Sequence, residues 1–240
     1  MNRDSNAYTF IFATVMVIVV ASSLALAATG LKQRQDDNVR KEKMQNILST
    51  IGVETDRDGA EELYKKYITE AVTVKSDGSI DASVDAFKVD LKKQLKMPVE
   101  EQNFPLYLAD VDGAKYYIVP LRGSGLWDAI WGYVSLKEDL NTIKGAVFDH
   151  KGETPGLGAE ITQGWFKERF EEEKIYDADG NFTGVAVVKG YSGGNDKDDN
   201  AVDAISGATI TGDGVSDMIK ERLQHYLPYL NKQKTQVAYK

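Results

Sequence analysis

The chain has 240 residues, no cysteine, two histidines and a net charge of −8. The missing thiols exclude disulfides, thiolate nucleophiles, cysteine-ligated zinc and iron–sulfur ligation within this chain. The acidic balance, without clustered Lys and Arg, argues against nucleic acid as a partner, and the length suits one membrane anchor plus one globular domain.

No charged side chain occurs from Asn6 to Leu31, and Tyr8 to Ala28 is apolar apart from Thr9, Thr14, Ser22 and Ser23. A bilayer core takes about 20 apolar residues in a helix, so this run is long enough to span. The competing reading is a cleaved signal peptide, with Ala25-Leu26-Ala27 as the processing site. An uncleaved anchor is favoured because the run exceeds the roughly 7–15 residues of a signal core. The segment before it also carries only Arg3, offset by Asp4. Lys32, Arg34, Arg40, Lys41 and Lys43 follow the span. The charge bias taken alone places the large domain in the cytoplasm, although the rule is weak for long translocated domains.

Residues 32–51 read as a helix leaving the membrane, with Val39, Ile47, Leu48 and Ile51 on one stripe. A second helix is expected from Asp58 as N-cap, burying Leu63 and Tyr64. A third is expected from Asp81 through Val84, Phe87, Leu91 and Leu95, stopping before Pro98. Leu106–Ala109, Tyr116–Leu121, Ile130–Leu136 and Thr142–Phe148 are rich in β-branched and aromatic residues and read as strands. Ile161–Phe170 suggests a short helix with Trp165 and Phe166 inward. Asp179-Gly180 marks a turn leading to a strand over Gly184–Lys189. The EF-hand alternative for Asp177–Asn181 fails, since Phe182 and Val188 stand where that loop needs Gly and Glu. Residues 192–200 read as a solvated acidic loop. An amphipathic helix from Asp213 to Tyr229 closes the chain, with Val215, Met218, Ile219, Leu223 and Leu227 on its apolar side. The fold class is α+β: a single N-terminal transmembrane helix (1–31), a helical stalk with flanking helices (32–98), and one mixed α/β domain (99–240).

Three segments carry chemistry. Asp203-Ala204-Ile205-Ser206-Gly207-Ala208-Thr209 is a small-residue, hydroxyl-rich loop without the lysine that a Walker-type phosphate loop requires. A plain turn before the closing helix explains it, and so does close approach of a phosphorylated group beside a threonine hydroxyl. His150–Gly158 holds three glycines and a proline, a loop of defined shape. Its Thr154 and Leu157 supply the hydroxyl and apolar cover typical of a small-molecule site. In Pro120–Trp127, Trp127 is either core or the wall of a pocket. Lys189 is either solvated or a cation close to a bound ring.

The order Asp-x-x-Ser-Gly-Ala-Thr resembles the flavinylation motif at which a flavin transferase joins FMN through its phosphate to the final threonine, here Thr209. The Gly-x-Gly-Leu-Trp bend, Glu-Thr-Pro-Gly-Leu-Gly and Ser-Gly-Ala-Thr together resemble the C subunits of Na+-translocating NADH:quinone oxidoreductases. So do the span followed by Gly30-Leu31-Lys32, then Gln35, Asn38 and Asn46-Ile47-Leu48. The resemblance covers nearly the whole chain; the acidic loop at 192–200 departs from it. The last two motifs are shared with the G subunit of Rnf complexes, which remains an alternative, as does an anchored assembly module without a redox group. The resemblance implies covalent FMN at Thr209, with Ser206, Gly207, Ala208, Trp127, Glu153, Thr154, Leu157, Gly158 and Lys189 around it. It implies transferase recognition through Asp203 and Ser206. It further implies partner subunits with flavin and iron–sulfur centres, residence in the bacterial inner membrane, and a domain on the periplasmic side. No Gly-x-Gly-x-x-Gly lies between strand and helix, so NADH belongs to a partner. No charge lies mid-span, so a Na+ path does too.

Overall fold

The computed structural model describes residues 5–238; the expected contributions of Arg3 and Asp4 lie outside the described residues. The chain divides into two compact units, residues 1–43 and 44–240.

The first unit is one helix. Helix α1 runs from Asn6 to Ser49, with no break between the apolar run and the charged stretch that follows. No residue of its apolar window is buried. Phe10, Phe12, Leu24 and Leu26 stand out with nearly all the rest of the run exposed, so nothing among the described residues accounts for their apolarity. Length and composition make this helix a candidate membrane span.

The second unit begins with the last turns of α1, where Met44, Ile47 and Leu48 are buried. Val39 is instead exposed, because the apolar stripe starts only where the helix meets the sheet. Helix α2 (Ala60–Tyr67) starts after Gly59, in a stretch held by Asp56, whose carboxylate accepts from the Asp58 and Gly59 N–H groups. The N-cap position is therefore Gly59 rather than the expected Asp58, and no side chain among the described residues caps it.

The chain passes directly from α2 into strand β1 (Ile68–Val74). This strand was not foreseen. Ile68-Thr-Glu-Ala-Val-Thr-Val follows a helix without a turn residue, and an edge strand with Glu70 outward carries weak alternation. The helix expected from Asp81 is also replaced. Asp81 caps only a tight turn, through Ser83. A 3-10 turn at Ala86–Lys88 is capped by Asp85, and the one-turn helix α3 (Leu91–Gln94) by Asp90. Three capping aspartates in ten residues keep restarting the backbone.

Strands β2 (Phe104–Val111), β3 (Ala114–Ser124), β4 (Ala129–Lys137) and β5 (Ile143–His150) cover the four expected strands. With β1 they form an antiparallel meander in the order β1-β2-β3-β4-β5. Side chains alternate between two cores, as period 2 requires. Leu106, Val119, Leu121, Ile130 and Val134 face the larger core. Tyr107, Ala109 and Ile118 face the smaller one, with Ile47, Leu48 and Ile51 from the end of α1. Gly132 has no room for a side chain: a Cβ there would lie 1.9 Å from the Val147 carbonyl oxygen.

The single helix expected over Ile161–Phe170 is broken. A 3-10 turn at Gly158–Thr162, helix α4 (Gly164–Lys167) and another 3-10 turn at Glu168–Phe170 are interrupted at the extended Gln163. Phe166 is buried, but Trp165 is 45% exposed, its ring lying under the Arg169 guanidinium at 4.8 Å. The Asp179-Gly180 turn is present, with Asp177 accepting from the Asp179 and Asn181 N–H groups. Short strands β6 (Ala186–Val188) and β7 (Ala201–Asp203) pair in parallel. Helix α5 (Thr209–Gln224) lies against β3 and β6. The closing helix stops at Gln224 and a separate α6 (Leu227–Ala238) follows. Pro228 sits in the first turn of α6, where its missing N–H costs nothing. The architecture is α+β, as expected.

Candidate functional site

The closing helix begins four residues earlier than its apolar pattern suggested, and this decides where Thr209 lies. Thr209 is the exposed first residue of α5. The preceding Ala208 cannot cap, no other side chain among the described residues does, and the first turn holds no acidic residue. Such an end presents unpaired N–H groups and the positive end of the helix dipole, a site suited to phosphate. Thr211, Val215, Met218 and Ile219 are all buried. Extending that i, i+4, i+7, i+8 stripe upstream to Thr211 would have revealed both the true start and the inward hydroxyl.

The loop ahead of α5 divides by position. Asp203, Ser206, Gly207 and Thr209 are exposed, while Val202, Ile205 and Ala208 are buried. Gly207 has φ +78°, a conformation that glycine adopts without strain. A Cβ there would also meet Leu157 Cδ2 at 2.8 Å, so the 150–158 loop lies directly against the Ser-Gly-Ala-Thr turn. Arg169 fixes the other end of the loop. Its guanidinium donates to the Asp203 carbonyl oxygen at 2.6 Å and lies 3.7 Å from the Asp203 carboxylate. Nothing in the sequence around Arg169 signals that contact.

Glu153 joins the three sequence segments. It is 4% exposed. Its Oε1 accepts from the Trp127 N–H at 2.9 Å and its Oε2 from the Thr211 hydroxyl at 2.6 Å. Its own N–H donates to His150 Nδ1 at 3.1 Å. Gly125 and Gly158 close over the carboxylate: a Cβ at either would come within 2.6 Å and 2.3 Å of its oxygens. Lys151 adds a surface tie to Asp128 at 2.6 Å, which holds the Asp128 carboxyl below its usual range. The Thr154 carbonyl accepts from the Leu157 and Ala159 N–H groups, shaping the rest of the loop, and its side chain is exposed.

Around this junction the protein leaves apolar surface uncovered. Trp127 is 69% exposed, Ile210 58%, Leu126 48% and Leu157 40%. Trp127 is therefore not a core residue. Side chains so exposed at one tightly built junction mark a surface that takes a ligand or partner. A cleft of about 540 Å³ runs from the β3–β4 turn to α5, lined among others by Arg122, Trp127, Asp217 and Arg222. Lys189 follows the end of β6, where the Val188 carbonyl accepts from the Ala204 N–H at 3.0 Å. That bond sets Lys189 beside the start of the Thr209 loop; it is exposed and hydrogen-bonds to none of the described residues.

Apart from Lys189, the sequence-selected residues thus fall on two adjoining loops, one turn and the head of α5. The acidic loop at 192–200 is mostly exposed, as expected, but it is tethered: Lys197 donates to the buried Glu173 at 3.0 Å and to the Arg169 carbonyl at 2.7 Å. Among the described residues no cluster of His, Asp and Glu has the makings of a metal site.

Residues 125–224 match the family described as FMN-binding domain. Over 239 residues the chain is 32% identical to the C subunit of the Na(+)-translocating NADH-quinone reductase of Pseudomonas aeruginosa, covering 91% of each. It is 30% identical to the protein of the same name from Neisseria meningitidis, covering 98% of this chain and 96% of that one. The crystal structure of the Parabacteroides distasonis C subunit superposes with a TM-score of 0.75 at 42% identity, covering 83% of this chain and 96% of that one. The Shewanella oneidensis NqrC structure superposes with a TM-score of 0.69 at 25% identity, covering 84% and 98%.

Proposed function

The chain belongs to the family of Na+-translocating NADH-quinone reductase C subunits, and from that premise we propose that it is a membrane-anchored electron carrier with FMN joined covalently to Thr209. The observation that carries this reading is the exposed Thr209 hydroxyl at the uncapped head of α5, inside the Asp-x-x-Ser-Gly-Ala-Thr sequence.

The residues present fit the group. An unblocked helix N-terminus suits the phosphate. Trp127, Leu157 and Ile210 offer apolar surface that the fold leaves open. Gly207 lets the turn pass under Leu157. Bound FMN supplies the capacity to take up and pass on electrons. The protein's part is to hold it. Thr209 Oγ1 would provide the phosphoester link, and the N–H groups of the first turn of α5 would help hold the phosphate. Trp127 and Leu157 would cover the ring and exclude water, while Thr154 and Lys189 would supply a hydroxyl and a positive charge. Ser206 and Asp203 are presented outward for the flavin transferase, with Ala208 buried to fix the turn. A tether keeps an extracytoplasmic flavin from being lost.

The same premise assigns NADH oxidation, quinone reduction and Na+ movement to partner subunits bearing flavin and iron–sulfur centres. Residues 1–31 act as the anchor in the bacterial inner membrane, 32–98 as the connection, and 99–240 as the flavin domain on the periplasmic side. The name shared by the relatives favours this over the Rnf G subunit.

Substituting Thr209→Ala tests the attachment. The variant keeps its fold, because an exposed hydroxyl contributes little stability. After denaturation its band on a gel no longer fluoresces as a flavin, whereas the wild-type band does. A fluorescent denatured Thr209→Ala chain would remove the assignment.

A further inference from the structure

We propose that Glu153 is a positioning residue rather than a flavin contact: its buried carboxylate locks the Trp127 turn to the first turn of α5, and so sets the gap in which the flavin ring is held. The inference rests on the reading that Thr209 carries FMN.

Both carboxylate oxygens are already engaged. Oε1 takes the Trp127 N–H and Oε2 the Thr211 hydroxyl. The side chain is almost fully enclosed, with Gly125 and Gly158 closed over it. That enclosure leaves no oxygen to reach outward to a ring. Among the described residues no Lys or Arg bonds to it. A buried carboxylate without a cation is costly, so its hydrogen bonds must be well made for the fold to keep it. Thr211 is the third residue of α5, where the positive end of the helix dipole favours a carboxylate.

The two donors belong to different elements. The Trp127 N–H belongs to the β3–β4 turn, whose indole is the most exposed aromatic at the junction. Thr211 lies two residues after Thr209. One side chain therefore couples the wall that covers a ring to the residue that bears its tether. Removing it frees the turn without touching Thr209 itself. The glycines state the same requirement, since Gly125 and Gly158 tolerate no Cβ without displacing the carboxylate.

The test uses the full chain, made together with a flavin transferase and purified in detergent. Wild type, Glu153→Gln, Glu153→Ala, Thr211→Ser and Thr211→Val are compared by mass, thermal unfolding and visible circular dichroism of the attached flavin. A ring held against one wall gives a strong induced signal; a ring that swings on its tether does not. Glutamine and serine preserve both hydrogen bonds, with the hydroxyl of residue 211 able to donate or accept. Glu153→Gln and Thr211→Ser therefore retain the signal within about twofold, while Glu153→Ala and Thr211→Val carry flavin but lose at least about fivefold of it. If Glu153→Ala does not fold, Thr211→Val decides. A folded, flavin-bearing Glu153→Ala or Thr211→Val with the wild-type signal would overturn the proposal alone. A wild-type chain lacking the flavin mass would overturn the reading beneath it, and this inference too.

Discussion

Individual residues at the site are set by what cannot be moved. Gly207 needs its positive φ and its closeness to Leu157; Ala208 fills a buried position behind the exposed Thr209. Away from the site, His225 is one residue that ties stability to pH. Burial, and then the nearby Arg222, lower its pKa from the ordinary 6.5. Its ring stacks on Phe104 at 5.1 Å, and Arg222 Nη2 lies 3.3 Å from its Nε2. A histidine held neutral in the folded state binds its proton more readily once unfolded. Stability contributed by His225 is therefore present above about pH 6.5 and falls as pH drops toward the lowered folded value. Thermal unfolding compared at about pH 7 and about pH 5 should show a smaller acid-side fall in His225→Gln than in wild type. An equal or larger fall would assign the pH dependence to other groups.

At the scale of elements, the joint between α5 and β3 governs the site, because α5 carries Thr209 and β3 ends at the Trp127 turn. The two approach closely through glycine. A Cβ at Gly214 would lie 2.2 Å from the Ser124 carbonyl oxygen, and one at Gly123 would lie 2.8 Å from Met218 Cβ. Gly214→Ala should push the helix off the strand and cost about 1–3 kcal/mol, the usual penalty of overpacking. Urea unfolding measures this, and attached flavin per chain should fall with it. A variant of wild-type midpoint would show that the joint is looser than the geometry indicates. Much of this element scale was legible in the sequence. Four strands announced themselves by β-branched and aromatic runs between Asp-Gly and Gly-rich turns, and β2–β5 cover them. The site's three loops were visible as glycine clusters with uncommon residue orders. What escaped notice shares a physical cause: the signal lies in tertiary partners, not in local pattern. β1 is an edge strand whose inward Val72 and Val74 are recognisable only beside β2. Glu153 is singled out by the resemblance as a flavin neighbour, but its bonds to Trp127 and Thr211 show only once the fold brings them together, and Arg169 reads as a surface cation until Asp203 arrives.

For the whole molecule, α1 contributes in two different ways along its length. Residues 6–31 bury nothing in the protein. Ile47 and Leu48, with Ile51 just beyond, are buried against Tyr107, Ala109 and Ile118. The buried Ser135 hydroxyl also donates to the Thr50 carbonyl at 2.6 Å. Removing residues 1–31 should yield a domain that stays in solution without detergent and keeps the unfolding midpoint of the full chain. Removing residues 1–51 takes away four buried apolar side chains, Met44, Ile47, Leu48 and Ile51. At about 1.5–3 kcal/mol each, that loss is roughly 6–12 kcal/mol, enough to unfold many domains of this size. Equal stability of the two truncations would mean that the end of the helix is not part of the core.

The proposed electron-carrier role turns on one covalent bond, and the measurement that meets it most directly is intact and peptide mass spectrometry of the chain isolated from its native membrane. An addition of FMN size, confined to the peptide containing Thr209, is the predicted result. An unmodified Thr209 peptide from membranes with full quinone reductase activity would contradict the covalent carrier and leave an anchored domain whose exposed Trp127, Leu157 and Ile210 serve another purpose.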